Sequence, residues 1–339
     1  MEFSKHTIHK IVKETEQSVS LYFNKPQDFS FFPGQYITIK HEIEGKELRR
    51  SYSLSSRPDQ DLRIGIKAVE NGLFSNFAMQ LKAGETLEFS QAEGRFLLDP
   101  AHATENSNYL AIAAGSGVTP ILSMVHSVLE DTKASFTLIY GNKSPLDAMY
   151  LQELQDLAAS YDRFSLIEIY SRNCPPDGRL GRIDSSIINF ALNKGTFDQV
   201  FICGPEALIN DSKAHLITRG FTEDQINFEL FSSATSSDES ESANSDDQVS
   251  ISVVLDDETH EFKAPRGINL LDAVLDQDLD APYSCKGGVC SSCIALVTEG
   301  SAKMEKNNIL TDSEIEEGLT ITCQAHATTD RICLDFDEA

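Results

Sequence analysis

Cys285, Cys290 and Cys293 stand in the order C-x4-C-x2-C, and Cys323 follows after 29 intervening residues. No other feature of the chain narrows its possible folds as far. Structural zinc usually takes its cysteines as two close pairs, which this is not. Three cysteines in one loop and a fourth far downstream is the plant-type spacing for a [2Fe–2S] cluster, in which four thiolates give each iron two sulfur ligands. The loop also contains Gly287, Gly288, Ser291 and Ser292. Residues this small let backbone N–H groups turn toward the sulfurs and ease their negative charge. A zinc site or a set of buried thiols is the plainer alternative. The remaining cysteines, Cys174, Cys203 and Cys333, lack such spacing, and the odd total of seven argues against a disulfide framework. Cys333, in a strand-like run, is expected in the core.

At 339 residues the chain is long enough for two or three domains. The stretch Ser232–Gln248, SSATSSDESESANSDDQ, has no large apolar residue. It cannot bury enough surface to offset its ordering entropy, so a flexible acidic linker is expected over 232–248. Before it, residues 1–102 alternate short apolar runs (Val19–Phe23, Gln35–Lys40, Leu62–Val69, Thr86–Ser90) with Gly-containing turns, which predicts a small antiparallel β-barrel. Residues 103–231 alternate apolar strand-like runs with helical segments, which predicts an α/β domain with a parallel, doubly wound sheet. Residues 249–339, with an alternating pair of runs, a helix over Leu270–Gln277 and a final strand Ile332–Phe336, suit an α+β β-grasp domain.

The formal charge is −25, and residues 232–339 hold 23 acidic against 6 basic side chains. Such a surface repels phosphate backbones, so nucleic acid is not an expected partner. It suits a basic face on a partner protein or simply keeps the chain in solution. No run reaches the length of a membrane-spanning helix, and Met1–Lys10 lacks the apolar core of a signal peptide, so membrane insertion is not expected and a cytoplasmic protein is.

Three further motifs carry chemistry. Arg50-Ser51-Tyr52-Ser53 offers a cation for a phosphate, an aromatic ring to pack on a flat heterocycle and a hydroxyl to meet its edge; alone, it is also an ordinary strand with a half-exposed Tyr. Gly72-Leu73-Phe74-Ser75 opens into an apparent helix, Ser75–Leu81, whose N-terminal N–H groups suit a pyrophosphate, with Ser75 as its expected N-cap. Gly115-Ser116-Gly117-Val118-Thr119-Pro120 joins a strand to a helix as G-x-G-x-x-P, with Thr119 expected to cap the helix and Pro120 to lie in its first turn. Cys203-Gly204-Pro205 closes another strand at the end where parallel sheets bind ligands.

Together these motifs resemble the ferredoxin–NADP reductase superfamily. The order of modules is similar to reductase subunits of bacterial oxygenases, most of all the phenylacetyl-CoA epoxidase type, through the strings LAIAAGSGVTP, FTLIYGN, GRID, FICGP and PYSCKGGVC. The resemblance implies FAD, a [2Fe–2S] cluster and NADPH (or NADH) as co-substrate. It implies a flavin held by Arg50, Ser51, Tyr52, Ser53, Lys67 and Gly72 to Ser75, with Ser53 near the hydride-accepting nitrogen. Gly115, Gly117, Thr119, Pro120, Gly204 and Pro205 would hold the nucleotide, Cys203 would lie beside the nicotinamide, and Phe231 would shield the flavin. Cys285, Cys290, Cys293 and Cys323 would bind the cluster. Ser171, Arg172 and Arg182, with Arg179 nearby, fall where a 2′-phosphate would sit in NADPH users; solvated loop charges are the alternative. The implied activity is transfer of electrons from NAD(P)H through FAD and the cluster to a terminal oxygenase. Other acceptors, a desaturase or a steroid or Rieske-type hydroxylase, would need the same chemistry. A non-enzymatic iron–sulfur carrier or redox sensor would need neither the Arg50–Ser53 nor the Gly115–Pro120 motif.

Overall fold

A computed structural model describes residues 2–231 and 248–339, apart from Glu44, Asp177 and Asn308. The expected linker therefore lies outside the described residues, except Gln248, which already opens a strand. The chain divides between Ser233 and Ala234 into two compact units.

The first unit begins with six antiparallel strands: β1 (Phe3–Thr15), β2 (Ser18–Phe23), β3 (Tyr36–Ile43), β4 (Lys46–Ser53), β5 (Leu62–Lys67) and, after the short helix α1 (Leu73–Ala78), β6 (Thr86–Ser90). Their order is β4-β3-β6-β1-β2-β5, and a bridge from Leu54 to Ile64 brings the two outer strands together into a barrel. Ile8, Leu21, Phe23, Ile37, Ile39, Ile64, Phe74 and Phe89 fill its interior. β1 has only Ile8 fully buried in 13 residues, so no apolar alternation announces it. It spans two neighbours, pairing β6 through Phe3–Thr7 and β2 from Ile8 onward.

The same unit continues as β7 (Asn108–Ala114), α2 (Val118–Asp131), β8 (Ser135–Asn142), α3 (Leu151–Ser160), β9 (Phe164–Tyr170), β10 (Arg179–Leu180), α4 (Ser185–Leu192), β11 (Gln199–Gly204), α5 (Glu206–Thr218) and β12 (Ile226–Leu230). All six strands are parallel, in the order β10-β9-β8-β7-β11-β12. Strands are added to one side of β7 and then, after β10, to the other. The sheet's direction of growth therefore reverses between β7 and β11, where open α/β sheets form their ligand crevice.

The second unit holds β13 (Gln248–Leu255), β14 (Glu258–Pro265), α6 (Leu270–Leu275), β15 (Ile294–Glu299), β16 (Ala302–Met304), α7 (Asp312–Glu316), β17 (Leu319–Ile321), β18 (Ala325–Ala327) and β19 (Arg331–Asp335). β13 and β14 form a hairpin closed by Asp256 and Asp257, both at positive φ (53° and 62°), as a two-residue turn of that hand requires. β19 lies parallel to β13 and antiparallel to β15, and α6 adds its buried face to the same core. This mixed sheet with a packed helix is the expected β-grasp arrangement. Cys333 departs from expectation. It alternates with buried Ile332 and Leu334 and so points away from the core, where its thiol donates to Glu299.

The second unit has an apolar core of its own, apart from the two cores of the first unit, so calorimetry should resolve a transition for it. Leu334→Ala, in that core, should cost about 2–5 kcal/mol and lower that transition alone.

Candidate active site

At the reversal between β7 and β11, two backbone turns meet. Gly115 (φ +57°) opens the turn after β7, and a Cβ there would meet nothing within 4 Å. Gly117 is the opposite: a Cβ would lie 2.6 Å from the Cys203 carbonyl carbon and nearer still to its oxygen. Only glycine lets the turn seat against the end of β11. α2 starts one residue later with Gly117 as its N-cap and no side-chain cap, so its first-turn N–H groups are not taken by a side chain. Thr119 is not the expected cap; it lies inside the helix, buried, with its hydroxyl donating to the Ser116 carbonyl (3.0 Å). Pro120 is in the first turn as expected. On the facing strand end, Pro205 is the N-cap of α5, also without a side-chain cap.

Strand register puts Ala113, Cys203 and Glu229 in one row across β7, β11 and β12. Cys203 is fully buried, and burial raises its thiol pKa well above the ordinary value. The residue that sequence reading passes over is Glu229. Burial raises its carboxyl to about 8, so it holds its proton at neutral pH. The Ser53 hydroxyl, from the barrel, donates to it at 3.5 Å. Its signal is there to find: an acid between apolar neighbours in a strand next to Cys203's. Phe231 follows at the end of β12, its N–H bonded to the Gly204 carbonyl (3.2 Å). The crevice thus gathers a buried hydroxyl, a buried thiol, a protonated acid and an aromatic ring, with uncapped helix starts beside them. That set suits a neutral planar ring pair and an anionic tail.

On the barrel side, Tyr52 packs on Phe74 (5.7 Å between ring centres), and burial raises its hydroxyl pKa. Arg50 is exposed, its guanidinium donating to the Arg49 carbonyl (2.7 Å), and Ser51 is half-buried beside it. The N-cap of α1 is Gly72, not Ser75, and no side chain caps the helix. Ser75 is inside α1, accepting from the Val69 N–H (3.2 Å). Leu73 is 49% exposed, while Phe74 is in the barrel core. Lys67 reaches across to the Asp147 carbonyl (3.1 Å), and burial lowers its pKa. Ser171 and Arg172 follow β9, while Arg182 follows β10; all three are exposed, and no ion pair holds either arginine among the described residues. Arg179 is engaged, its guanidinium 4.1 Å from the Phe190 ring centre.

In the second unit the four cysteines associate two by two: Cys290 hydrogen-bonds Cys285, and Cys293 hydrogen-bonds Cys323. Each bond favours a thiolate on one partner, so the pKa falls for Cys285 and Cys323 and rises for Cys290 and Cys293. The Gly287 N–H points at the Cys285 sulfur (3.3 Å), and the Gly288 N–H stabilises the Cys323 thiolate. Gly288 (φ +69°) could not carry a side chain, since a Cβ would lie 2.7 Å from the Gln324 Cγ. Among the described residues no three donors converge on one point, as a single metal ion would require. Two thiol pairs are what a two-iron cluster asks of its ligands.

Models of known families match along the chain: an oxidoreductase FAD-binding domain over residues 6–97, an oxidoreductase NAD-binding domain over 111–214, and a 2Fe-2S iron-sulfur cluster binding domain over 253–328. The chain is 36% identical to a component of the 1,2-phenylacetyl-CoA epoxidase of Escherichia coli K12, with 99% of this chain and 98% of that one covered. It is 30% identical to the ferredoxin reductase component of the 3-ketosteroid-9-alpha-monooxygenase of Mycolicibacterium smegmatis, covering 98% and 96%. Among solved structures, phthalate dioxygenase reductase shares the fold with a TM-score of 0.61 at 22% identity, over 98% of both chains. No helix among the described residues is long and apolar enough to cross a membrane.

Glu229 yields a signed pH prediction. The folded protein keeps its proton up to about 8, whereas the ordinary value is 4.5. Between those values the folded state binds more protons than the unfolded state, so stability falls as pH rises through the window. Glu229→Gln should flatten that part of the profile, read as the melting temperature from pH 4.5 to 8.

Proposed function

The chain belongs to the family of FAD- and [2Fe–2S]-containing reductase components of oxygenase systems, and from that premise we propose that it oxidises NADPH to feed an oxygenase of the phenylacetyl-CoA epoxidase kind. The observation that carries the reading is the pairing of two sites in one chain. One is a crevice built for flat rings and a phosphate tail, and the other is a set of two thiol pairs. FAD, when bound, supplies acceptance of a hydride (two electrons and a proton) and release of electrons singly, and the cluster carries them one at a time.

The residues divide the work as follows. Ser53, Tyr52, Arg50, Ser51 and the start of α1 at Gly72 would hold the flavin and its pyrophosphate, the uncapped N–H groups facing the anion. Gly115 and Gly117 would let the nucleotide's phosphates approach backbone, and Cys203 and Glu229 would flank the nicotinamide. A neutral Glu229 can donate a hydrogen bond without setting a negative charge beside a departing hydride. Phe231 would cover the ring until the nucleotide displaces it. Cys285, Cys290, Cys293 and Cys323 would bind the irons, with loop N–H groups moderating the charge. Arg172 and Arg182 are the unengaged cations for a 2′-phosphate, which favours NADPH over NADH.

The acceptor rests on the relatives' printed roles. The epoxidase relative favours an acyl-CoA epoxidase; the ketosteroid monooxygenase reductases favour a steroid oxygenase as the second reading. Coupled turnover with each oxygenase in turn separates them.

Anaerobic absorbance tests the core of the proposal. NADPH should bleach flavin and cluster bands of the purified protein together; a colourless protein, or one unaffected by NADPH and NADH, would sink the reading. Cys293→Ala should lose the cluster bands and electron delivery to a protein acceptor while its flavin still bleaches. Arg172→Ala should raise the KM for NADPH about tenfold or more, the worth of a charge-assisted phosphate contact, and leave the KM for NADH unchanged.

A further inference from the structure

Tyr150 occupies an unusual position. It has φ +58°, a left-handed conformation that non-glycine residues avoid, yet its side chain is 3% exposed. It immediately precedes α3, in the nucleotide half of the first unit, but its hydroxyl is in the barrel wall. There it meets the Ser20 hydroxyl on β2 (2.9 Å) and the Ser55 hydroxyl (3.3 Å). Ser20 in turn donates to Glu14 (2.7 Å), whose carboxylate also takes the Tyr150 N–H. The Arg63 guanidinium lies 4.9 Å from the Tyr150 ring centre and forks onto Glu153 (2.9 and 3.1 Å), within α3. A Cβ at Gly65 on β5 would strike the Tyr150 hydroxyl, so the barrel has left room for it.

The same residue connects to the glycine turn. The Tyr140 hydroxyl is shared between the Met149 carbonyl (3.1 Å) and the Gly115 carbonyl (3.2 Å). The Met149 methyl and the Thr119 methyl lie 2.8 and 2.9 Å from the Cβ position that Gly65 leaves empty. Thus one short path, Gly115 to Tyr140 to Met149–Tyr150 to Ser20 and Ser55, joins the nucleotide turn to the barrel.

Hydride transfer demands that path be stiff. Reacting atoms must sit about 3–3.5 Å apart, and a misplacement of about 1 Å costs on the order of a hundredfold in rate. We propose that Tyr150 is a positioning residue for hydride transfer, its hydroxyl pinning the nucleotide turn to the barrel so that the two rings meet at reacting distance. The inference rests on the proposed reductase function and adds one element of its geometry, beside the ties from α2 to the barrel at Ser123–Ser56 and Arg57–Asp131.

The test compares wild-type holoenzyme, Tyr150→Phe and Tyr109→Phe by anaerobic stopped-flow with NADPH. Tyr109 is a buried tyrosine at the start of β7, away from the crevice. Tyr150→Phe should slow flavin bleaching at saturating NADPH about tenfold, the cost of a displacement of a few tenths of an ångström. Flavin content should be unchanged, and the long-wavelength charge-transfer absorbance that reports stacked nicotinamide and flavin should weaken. Tyr109→Phe should change neither rate nor band. Should Tyr150→Phe fail to retain FAD, Ser55→Ala, which keeps the ring and the other hydroxyl, should show the same weakened band with a smaller loss of rate. A native rate and band in Tyr150→Phe, or in Ser55→Ala when that variant stands in, overturns the assignment, as does an equal loss in Tyr109→Phe. A wild type that neither nucleotide bleaches overturns the reductase function and, with it, this inference.

Discussion

The turn at Gly117 lies so close to the end of β11 that no side chain fits between them, and the crevice depends on that backbone contact. It brings the start of α2 beside the start of α5 and holds both next to Cys203. A methyl group there would clash with the Cys203 carbonyl and push the glycine turn off the strand end. The chemistry of the crevice follows from burial at this junction. Burial keeps Cys203 a thiol and raises the carboxyl of half-buried Glu229, favouring its neutral form.

Much of this was legible in the sequence, for reasons that differ by residue. The cysteine spacing was legible because ligand number and loop length are set by the cluster itself. The glycines of the turn were legible for two reasons: at Gly117 close backbone approach tolerates little else, and at Gly115 the backbone takes a positive φ. β1 was not, because a strand that pairs two neighbours and buries only Ile8 fully has no apolar alternation to read. The caps misled for a related reason. Ser75 and Thr119 have cap-forming side chains, but the helices begin two or three residues earlier, at Gly72 and Gly117. A helix start left without a side-chain cap keeps its N–H groups for something else, so the absence of a capping side chain is itself the signal. Cys333 faces away from the core because the register of β19, not the residue's apolar character, decides which face it takes.

The division into two units matches a division of electrons. A crevice lined by neutral groups suits a two-electron hydride, and paired thiols backed by N–H groups suit a centre that changes by one. The negative charge is heaviest in the part that holds the cysteines. Like charges on such a surface do not help it fold.

The barrel and the nucleotide half are tied at several places, among them Arg57 to Asp131, Ser123 to the Ser56 carbonyl and Lys67 to the Asp147 carbonyl, and two of the ties differ greatly in strength. Around Tyr150 the tie is dense: two hydroxyl partners, a forked Arg63–Glu153 pair and a missing Cβ at Gly65. At the crevice it is a single hydroxyl-to-carboxyl contact, Ser53 to Glu229, at the 3.5 Å limit of a hydrogen bond. Rigidity at one place and a weak contact at the other is the arrangement a ring-binding crevice needs. The Ser53–Glu229 bond contributes little, so breaking it would cost almost nothing. The alignment of the two halves is held mainly by groups away from the Ser53–Glu229 contact, among them Tyr150 and the Arg63–Glu153 pair.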